Sequence, residues 1–231
     1  MGDVGPPRCL LTAGGVLVDG GAALGLTVAE PLGLAGTGGW SLELVDLDAD
    51  GFEDLVQSSG PFGGNPDGSD AHVREATGEW PDLVWQGSAD GFADVTAEMG
   101  FGDLRPHYGL VVVDTTGDGY PEVVVHGPQG APALYDNPCG ENAWLTVDFE
   151  GSWANPDAWG VQVLAVAGGR TRTREMSNLR ARAQGPSELY FGLGAVDRVD
   201  QLVVIWPGGE RVVFEDLPVR ARVTVRHPDA G

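Results

Sequence analysis

The stretch Asp46-Leu-Asp-Ala-Asp-Gly-Phe-Glu-Asp54 decides how this chain can fold. Its aspartates occupy the first, third, fifth and ninth positions, and Gly51 occupies the sixth. A hard cation such as Ca²⁺ takes about six to eight oxygen ligands, and alternating acids around a glycine bend can turn several of them toward one point. The spacing therefore predicts a Ca²⁺ loop. Its predicted ligands are Asp46, Asp48, Asp50, Asp54 and the carbonyl oxygen of Phe52.

The flanks of this loop are predicted to be β-strands. Residues 40–45 precede it and residues 55–56 follow it, and both have strand-like patterns. An EF-hand would need a bidentate Glu at its twelfth position, which here is Gln57, and helices on both sides. The loop is therefore predicted to connect two strands. The alternative is an Asp-Gly hairpin turn whose acids are only solvated.

A second copy of the pattern begins at Asp114. Gly119 again occupies the sixth position, Thr116 replaces the second acid and Glu122 replaces the last. Two loops with the same spacing and similar flanks favour cation binding over a solvated turn. The lower charge and the longer acid predict a weaker Ca²⁺ site. Its predicted ligands are Asp114, Thr116, Asp118, Glu122 and the carbonyl oxygen of Tyr120.

Composition limits the class of partner. The chain has 231 residues, 42% of them hydrophobic, with 37 glycines and 16 prolines, which predicts a real core built from short strands. The formal charge of −21 argues against nucleic acid and anionic membrane surfaces. No apolar run approaches the roughly 20 residues of a membrane span, and the first residues lack the features of a signal peptide. Cys9 and Cys139 match no metal or redox spacing, and they either form one disulfide or stay free.

The distribution of charge predicts two domains. Residues 1–141 carry 23 acidic residues and 3 arginines, whereas residues 142–231 carry 11 acidic residues and 10 arginines. A shift this abrupt predicts a boundary near Glu141-Asn142. Three arginines of the second part, Arg170, Arg172 and Arg174, lie on one face of a predicted strand. They either protect a solvated edge strand or form an anion site or a dock for the acidic part.

Hairpin patterns alternate with the two loops. Residues 83–101 are predicted as strand, Asp-Gly turn and strand, residues 10–26 are a weaker copy, and residues 132–137 begin another. A period of about 70 residues with about four strands predicts blades of a β-propeller in residues 1–141. Residues 142–231 contain apolar runs of strand length separated by glycine turns, which predicts a small β-sandwich. The predicted fold class is all-β.

Both parts resemble known families. Trp40 with the first acidic loop, followed by Asp90-Gly-Phe-Ala-Asp-Val-Thr, resembles the FG-GAP/VCBS repeats of integrin-like β-propellers. Residues 142–226 resemble the ASPIC/UnbV domain through Asn155-Pro-Asp-Ala-Trp-Gly-Val, Leu189-Tyr-Phe-Gly-Leu-Gly and Val-Ile-Trp206-Pro-Gly. Nearly the whole chain is similar to the C-terminal part of cartilage-acidic-protein-like molecules. Residues 176–185 depart from the family pattern, and two blades and a fragment replace its usual propeller of about seven blades.

This resemblance implies a non-enzymatic, Ca²⁺-dependent binding or adhesion module that is extracellular or periplasmic and has a protein or glycan partner. The alternative is an accessory protein or enzyme of a bacterial biosynthetic pathway, because UnbV-type members take their name from enediyne gene clusters. Such a protein would have a site between propeller and sandwich. No catalytic or dinucleotide motif is present, so no catalytic residue and no organic cofactor is predicted. The incomplete propeller predicts a piece of a longer protein or closure by oligomerisation.

Overall fold

Regular structure in this protein is almost entirely β-strand, as predicted. The computed structural model describes residues 8–27, 37–61, 80–128, 130–137, 140–177, 179–180 and 183–230. The strands of the first part are β1 (Leu10–Ala13), β2 (Val16–Asp19), β3 (Thr37–Val45), β4 (Asp54–Pro61), β5 (Leu83–Ser88), β6 (Gly91–Asp94), β7 (Gly109–Val113), β8 (Glu122–His126) and β9 (Ala133–Tyr135). A 3₁₀ turn covers Ala22–Leu24.

The second part continues the all-β pattern. Its strands are β10 (Ala143–Glu150), β11 (Gln162–Ala167), β12 (Arg170–Glu175), β13 (Leu179–Arg180), β14 (Ala183–Gln184), β15 (Glu188–Gly194), β16 (Arg198–Ile205), β17 (Arg211–Pro218) and β18 (Ala221–Arg226). Among the described residues, every strand pairing stays within the first nine strands or within the last nine.

The first part contains two antiparallel meanders and a hairpin. One meander has the order β3-β4-β5-β6 and the other the order β7-β8-β9. The strand–turn–strand pattern predicted for residues 83–101 forms β5 and β6, which are joined at residues 89–90. The weaker copy forms the β1–β2 hairpin, whose turn at Gly14 and Gly15 has φ values of 59° and 81°. Two left-handed residues in succession suit the tight turn of a right-twisted hairpin.

The two meanders share a core. Val45, Val56 and Val84 of the first meander pack with Leu110 and Val123 of the second. The core residues alternate along β7 (Leu110, Val112) and β8 (Val123, Val125), so this sheet turns one apolar face toward the other meander. Both acidic loops leave these meanders at equivalent points, because one joins β3 to β4 and the other joins β7 to β8.

A buried polar cluster fastens the same two meanders. Asp82 Oδ1 accepts a hydrogen bond from the Ser59 amide at 3.1 Å. Asp82 Oδ2 accepts from the Tyr135 hydroxyl at 3.2 Å and lies 2.7 Å from His107 Nδ1. Burial raises the pKa of Asp82, while His107 acts in the opposite direction. The cluster is enclosed, since Asp82 and His107 are both fully buried. It stabilises the packing and has no access to solvent.

The second part is a two-layer sandwich. A sheet with the order β15-β10-β18, in which β10 and β18 run parallel, faces a sheet with the order β12-β11-β16-β17. Leu145 and Phe191 of the first layer meet Val163, Leu202 and Val204 of the second, and all five are fully buried. The edge strand β12, the start of β10 and the end of β15 contact the acidic loops.

Candidate metal centres between the two parts

The first acidic loop gathers three of its predicted ligands at one point. Carboxylate oxygens of Asp46, Asp48 and Asp50 lie within 4.8 Å of one another. Asp46 is buried, with 1% of its surface exposed, and the other two are half-buried. Separations of this size suit oxygens that share one cation, because Ca²⁺–oxygen distances are about 2.3–2.6 Å.

The second loop gathers three acids in the same way. Oxygens of Asp114, Asp118 and Glu122 lie within 4.8 Å of one another. Glu122 is buried at 1% exposure, Asp114 is half-buried and Asp118 is exposed. Thr116 is also exposed, and its hydroxyl is the acceptor for the Asp118 amide at 3.4 Å.

The two loops have the same internal hydrogen-bond framework. The first acid accepts from the sixth-position glycine amide in both loops, Gly51 at 2.7 Å and Gly119 at 2.9 Å. The side chain at the third position, Asp48 or Thr116, accepts a hydrogen bond from the backbone amide at the fifth position. The aspartate at the fifth position, Asp50 or Asp118, accepts one from the amide at the seventh position, Phe52 or Tyr120, at 2.8 Å in both loops. The ninth acid accepts from the amide of the second residue, Leu47 or Thr115. Residue type and spacing therefore produce one loop conformation twice.

The ninth position differs between the loops. Asp54 uses one oxygen for the Leu47 amide at 2.8 Å and the other for the Gly87 amide of β5 at 2.8 Å. It is not one of the three clustered acids of its loop. Glu122 directs one oxygen to the Thr115 amide and joins its own cluster. The longer glutamate thus reaches the cluster, whereas the aspartate is held by two backbone amides.

Each three-acid cluster contains one buried carboxylate oxygen for which the described residues offer no hydrogen-bond partner. In the first loop it is Asp46 Oδ1, and in the second it is Glu122 Oε1. Glu53 Oε2 of the first loop is also buried without such a partner, but Glu53 lies outside the cluster and forms an ion pair with Arg174. Burial, followed by the neighbouring acids, raises the pKa of Asp46 to about 8. Burial likewise raises the pKa of Asp54 to about 7. In both residues burial is the largest cause, so the ionised form of each carboxylate is disfavoured in the folded loop.

Three further polar residues hold the loops, and the spacing pattern alone did not identify them. Asn137 Nδ2 donates to the Leu47 carbonyl at 2.8 Å and to the Pro121 carbonyl at 3.0 Å, so one buried amide joins the two loops. Asn142 Nδ2 donates to the Asp48 carbonyl at 2.9 Å. Gln86 Nε2 donates to Asp48 Oδ2 at 2.6 Å. Their position outside both loops leaves no local sequence signal.

The second part packs against both loops. Ala49, Tyr120 and Trp144 form a small apolar cluster, and Tyr190 packs against it. A Cβ added to Gly119 would lie 1.7 Å from the Trp144 ring, so the second loop lies directly on β10. The Tyr120 hydroxyl donates to the Asn142 carbonyl at 2.9 Å. The candidate metal centres are therefore at the contact between the parts.

Strand β12 carries Arg170, Arg172 and Arg174 and is called the arginine strand below. It contacts the first, acidic part, which confirms the prediction that these arginines form a dock for that part. The Arg170 guanidinium lies 4.3 Å from the centre of the Phe52 ring. Arg174 forms an ion pair with Glu53. A Cβ added to Gly51 would lie 2.2 Å from Arg172 Nη2. Burial lowers the pKa of Arg172, and Asp46 and Glu53 act in the opposite direction.

Replacing Arg170, Arg172 and Arg174 by serine is expected to loosen the contact between the parts while each part stays folded. The variant loses the ion pair to Glu53 and the interaction with the Phe52 ring, both of which join the second part to the first. Its radius of gyration by small-angle scattering should exceed that of the parent at the same salt concentration. Its far-ultraviolet circular dichroism should not change.

A control with the same loss of charge comes from Arg198, Arg222 and Arg226. Their ion pairs, with Asp216, Asp148 and Glu150 among others, lie within the second part. Serine at these three positions is expected to leave the radius of gyration unchanged. Equal scattering from the parent and the Arg170, Arg172, Arg174 variant would show that the strand makes no contribution to docking.

Comparison with known proteins finds one family to which the second part is similar. Residues 151–231 match the family model described as ASPIC and UnbV. This match confirms the predicted resemblance for that segment, which is about a third of the chain. No curated protein sequence matches the chain. Within the described residues, no helix has the length and apolar character needed to cross a membrane.

Proposed function

We propose that this chain is a non-enzymatic interaction module whose two acidic loops each bind one Ca²⁺. The observation that carries the proposal is the buried carboxylate oxygen without a hydrogen-bond partner in each three-acid cluster, Asp46 Oδ1 and Glu122 Oε1. Each oxygen belongs to a residue with 1% exposure that lies among other acids. A bound cation gives both oxygens a ligand.

The energetic argument favours a divalent cation with oxygen ligands. An ionised carboxylate that is buried without a partner costs several kcal/mol, since burial removes its hydration. Three acids within one small volume add mutual repulsion to that cost. A hard cation offsets both terms, and the donor set of carboxylates, a hydroxyl and backbone carbonyls is the set that Ca²⁺ prefers. No sulfur or imidazole belongs to either cluster.

The predicted ligands fit this proposal to different degrees. Asp46, Asp48 and Asp50 have clustered oxygens, as do Asp114, Asp118 and Glu122. Asp54 is assigned to loop support, because both of its oxygens already accept backbone amides. Thr116 and the carbonyls of Phe52 and Tyr120 stay predictions as ligands.

The interaction role rests on the family of the second part and on the resemblance of the first. The ASPIC and UnbV match fits a non-enzymatic module. The similarity of the acidic loops to FG-GAP/VCBS repeats supports Ca²⁺ as the ion, an extracellular or periplasmic location, and a protein or glycan as the partner. Leu42 and Leu44 of β3 are 52% and 58% exposed, which supports association with further blades or a second copy.

One observation favours the alternative of an accessory protein or enzyme. A cavity of about 360 Å³ lies between the parts, and its lining includes Glu43, Asp114, Arg174, Glu188 and Tyr190. Arg174 is already engaged by Glu53 and the Tyr190 carbonyl, and Glu188 is engaged by Arg222. Two of the charged groups that line the cavity are thus committed to structural pairs, which favours the interaction module.

Calorimetric titration with Ca²⁺ tests the proposed function. The parent protein is expected to bind two ions, the first loop more tightly than the second. Asp50→Ala is expected to weaken the tight site, and Asp118→Ala the weak site, each by tenfold or more, because a carboxylate leaves the cluster. If both variants lose Ca²⁺ affinity to the same extent, only the prediction that the first loop binds more tightly than the second is contradicted.

Asp90→Ala is the control variant. Asp90 is an exposed acid in the turn between β5 and β6, outside both clusters. This substitution removes the same charge and is expected to leave both affinities within about twofold. A parent protein that takes up no Ca²⁺ at millimolar concentration would overturn the proposed function.

A further inference from the structure

The end of β15 completes the surroundings of the first acidic loop. A Cβ added to Gly192 would lie 1.8 Å from Asp46 Oδ2 and 2.8 Å from the Cα of Ala49. The Gly194 amide donates to the Ala49 carbonyl at 2.7 Å. Backbone of the second part is therefore in direct contact with the carboxylate that the first loop buries most deeply.

Docking of β15 is one reason why the carboxylate of Asp46 is excluded from water. Asp46 lies in a loop between two strands of the first part, and Gly192 covers one of its oxygens. The same contact supplies no hydrogen bond to Asp46 Oδ1. In the docked arrangement this oxygen is thus desolvated, and the described protein atoms leave it without compensation.

The arginine strand does not supply the missing partner. Arg172 Nη2 donates to the Leu193 carbonyl at 3.2 Å, whereas its Nε and Nη1 are buried without a hydrogen-bond partner. Its guanidinium makes the local electrostatic potential more positive, and it gives Asp46 Oδ1 no hydrogen bond. Arg174 is neutralised by Glu53.

Tyr190 adds a second polar atom that faces the loops. Its hydroxyl is buried and has no hydrogen-bond partner among the described residues. Its ring packs against the cluster of Ala49, Tyr120 and Trp144. Burial, followed by Asp46 and other loop acids, raises its pKa, which places the phenol in the field of both loops.

We propose that Ca²⁺ binding by the first loop and docking of the second part through β15 are one linked equilibrium, which rests on the proposed function above. Docking dehydrates and fixes the loop, so the cation binds more tightly to the docked protein. The cation offsets the free-energy cost of burying Asp46 Oδ1 without a partner. It therefore raises the equilibrium constant for docking by the same factor by which docking raises the Ca²⁺ affinity. The fraction of molecules in which the second part is docked then increases with Ca²⁺ occupancy of the first loop. The contacts of the arginine strand set the docked fraction in the absence of the ion.

Gly192→Val tests the linkage through affinity. The new side chain would point at Asp46 and not into the sandwich core, so it is expected to displace the loop while β15 keeps its pairing with β10. Ca²⁺ affinity of the first site by calorimetry is expected to fall about tenfold, within the usual range of coupling between sites. Gly102→Val is the matched control, because a Cβ there meets only a carbonyl oxygen at 3.9 Å.

Hydrogen exchange in the unmodified protein tests the linkage from the other side. The Gly194 amide reports docking directly, since its acceptor is the Ala49 carbonyl of the loop. Its exchange is expected to slow about tenfold when Ca²⁺ replaces EGTA. The Gly160 amide, which donates to Met176 within the sandwich, is the control and should change much less.

The outcomes separate the two proposals. A parent protein that binds no Ca²⁺ overturns the proposed function, and the linkage with it. A parent protein that binds Ca²⁺ overturns the linkage alone if its Gly194 exchange is the same with Ca²⁺ and with EGTA. Unchanged or tighter binding by a folded Gly192→Val variant also overturns the linkage. If that variant does not fold, the exchange measurement decides.

Discussion

Removing Ca²⁺ with EGTA is expected to lower the free energy of unfolding by about 5 kcal/mol. A ligand present at 100 times its dissociation constant stabilises the folded state by about 2.7 kcal/mol, and the protein is proposed to have two such sites. For a chain of this size, a change of 1 kcal/mol shifts the thermal midpoint by about 2–4 °C. The midpoint in EGTA is therefore expected to lie about 10–20 °C below that in saturating Ca²⁺.

Thermal unfolding followed by circular dichroism measures this difference. Mg²⁺ at equal ionic strength is the salt control and should restore less stability, since Mg²⁺ demands stricter octahedral geometry and dehydrates reluctantly. The double variant Asp50→Ala, Asp118→Ala should lose most of the difference between EGTA and Ca²⁺. Equal midpoints for the parent in EGTA and in Ca²⁺ would contradict a stabilising role of the ion.

Asp54→Ala is expected to destabilise the protein by about 2–5 kcal/mol, in EGTA as well as in Ca²⁺. The substitution leaves the amides of Leu47 and Gly87 buried without an acceptor. Each orphaned buried donor costs about 1–3 kcal/mol. The hydrogen bond from the Gly87 amide joins the loop to β5, so its loss also weakens the packing of the loop against the first meander.

Asp50→Ala is the contrasting variant. Asp50 is half-buried, and burial and Asp48 raise its pKa while Arg170 and Arg172 oppose that shift. Its removal takes the acceptor from one half-buried amide, that of Phe52, so it is expected to cost less than Asp54→Ala in EGTA and to cost more when Ca²⁺ is present. Urea unfolding of both variants in the two buffers separates loop support from ion binding. An Asp54→Ala loss confined to Ca²⁺ would return Asp54 to the set of ligands.

The two roles of acids explain why the loops tolerate such concentrated charge. Hydrogen bonds from backbone amides to these acids set the shape of the loop, and the acids whose oxygens cluster are those proposed to hold the ion. Asp46 does both, because Oδ2 accepts the Gly51 amide while Oδ1 has no partner. Glu122 divides its two oxygens in the same way between Thr115 and the cluster.

The amino-acid sequence by itself determined the local conformation of both loops. Aspartates at the first and fifth positions and glycine at the sixth give the same amide–carboxylate bonds in two places, and those bonds span five residues or fewer. Alternating apolar residues likewise determined the all-β class and the hairpin of β5 and β6. Interactions of this range depend on residue type and backbone geometry, which a linear pattern contains.

The tertiary structure alone decided what the loops touch. Asp54 departs from its predicted ligand role because its second oxygen meets Gly87, which lies 33 residues further along the chain. Asn137 joins Leu47, 90 residues away, to Pro121. Gly192 covers Asp46 across a still longer separation. From the sequence, the arginine strand could be a solvated edge strand, an anion site or a dock for the acidic part. Its contacts with Glu53 and Phe52 in the folded protein favour the dock. Such contacts depend on how whole sheets pack, because packing fixes the distance between residues that no local pattern relates.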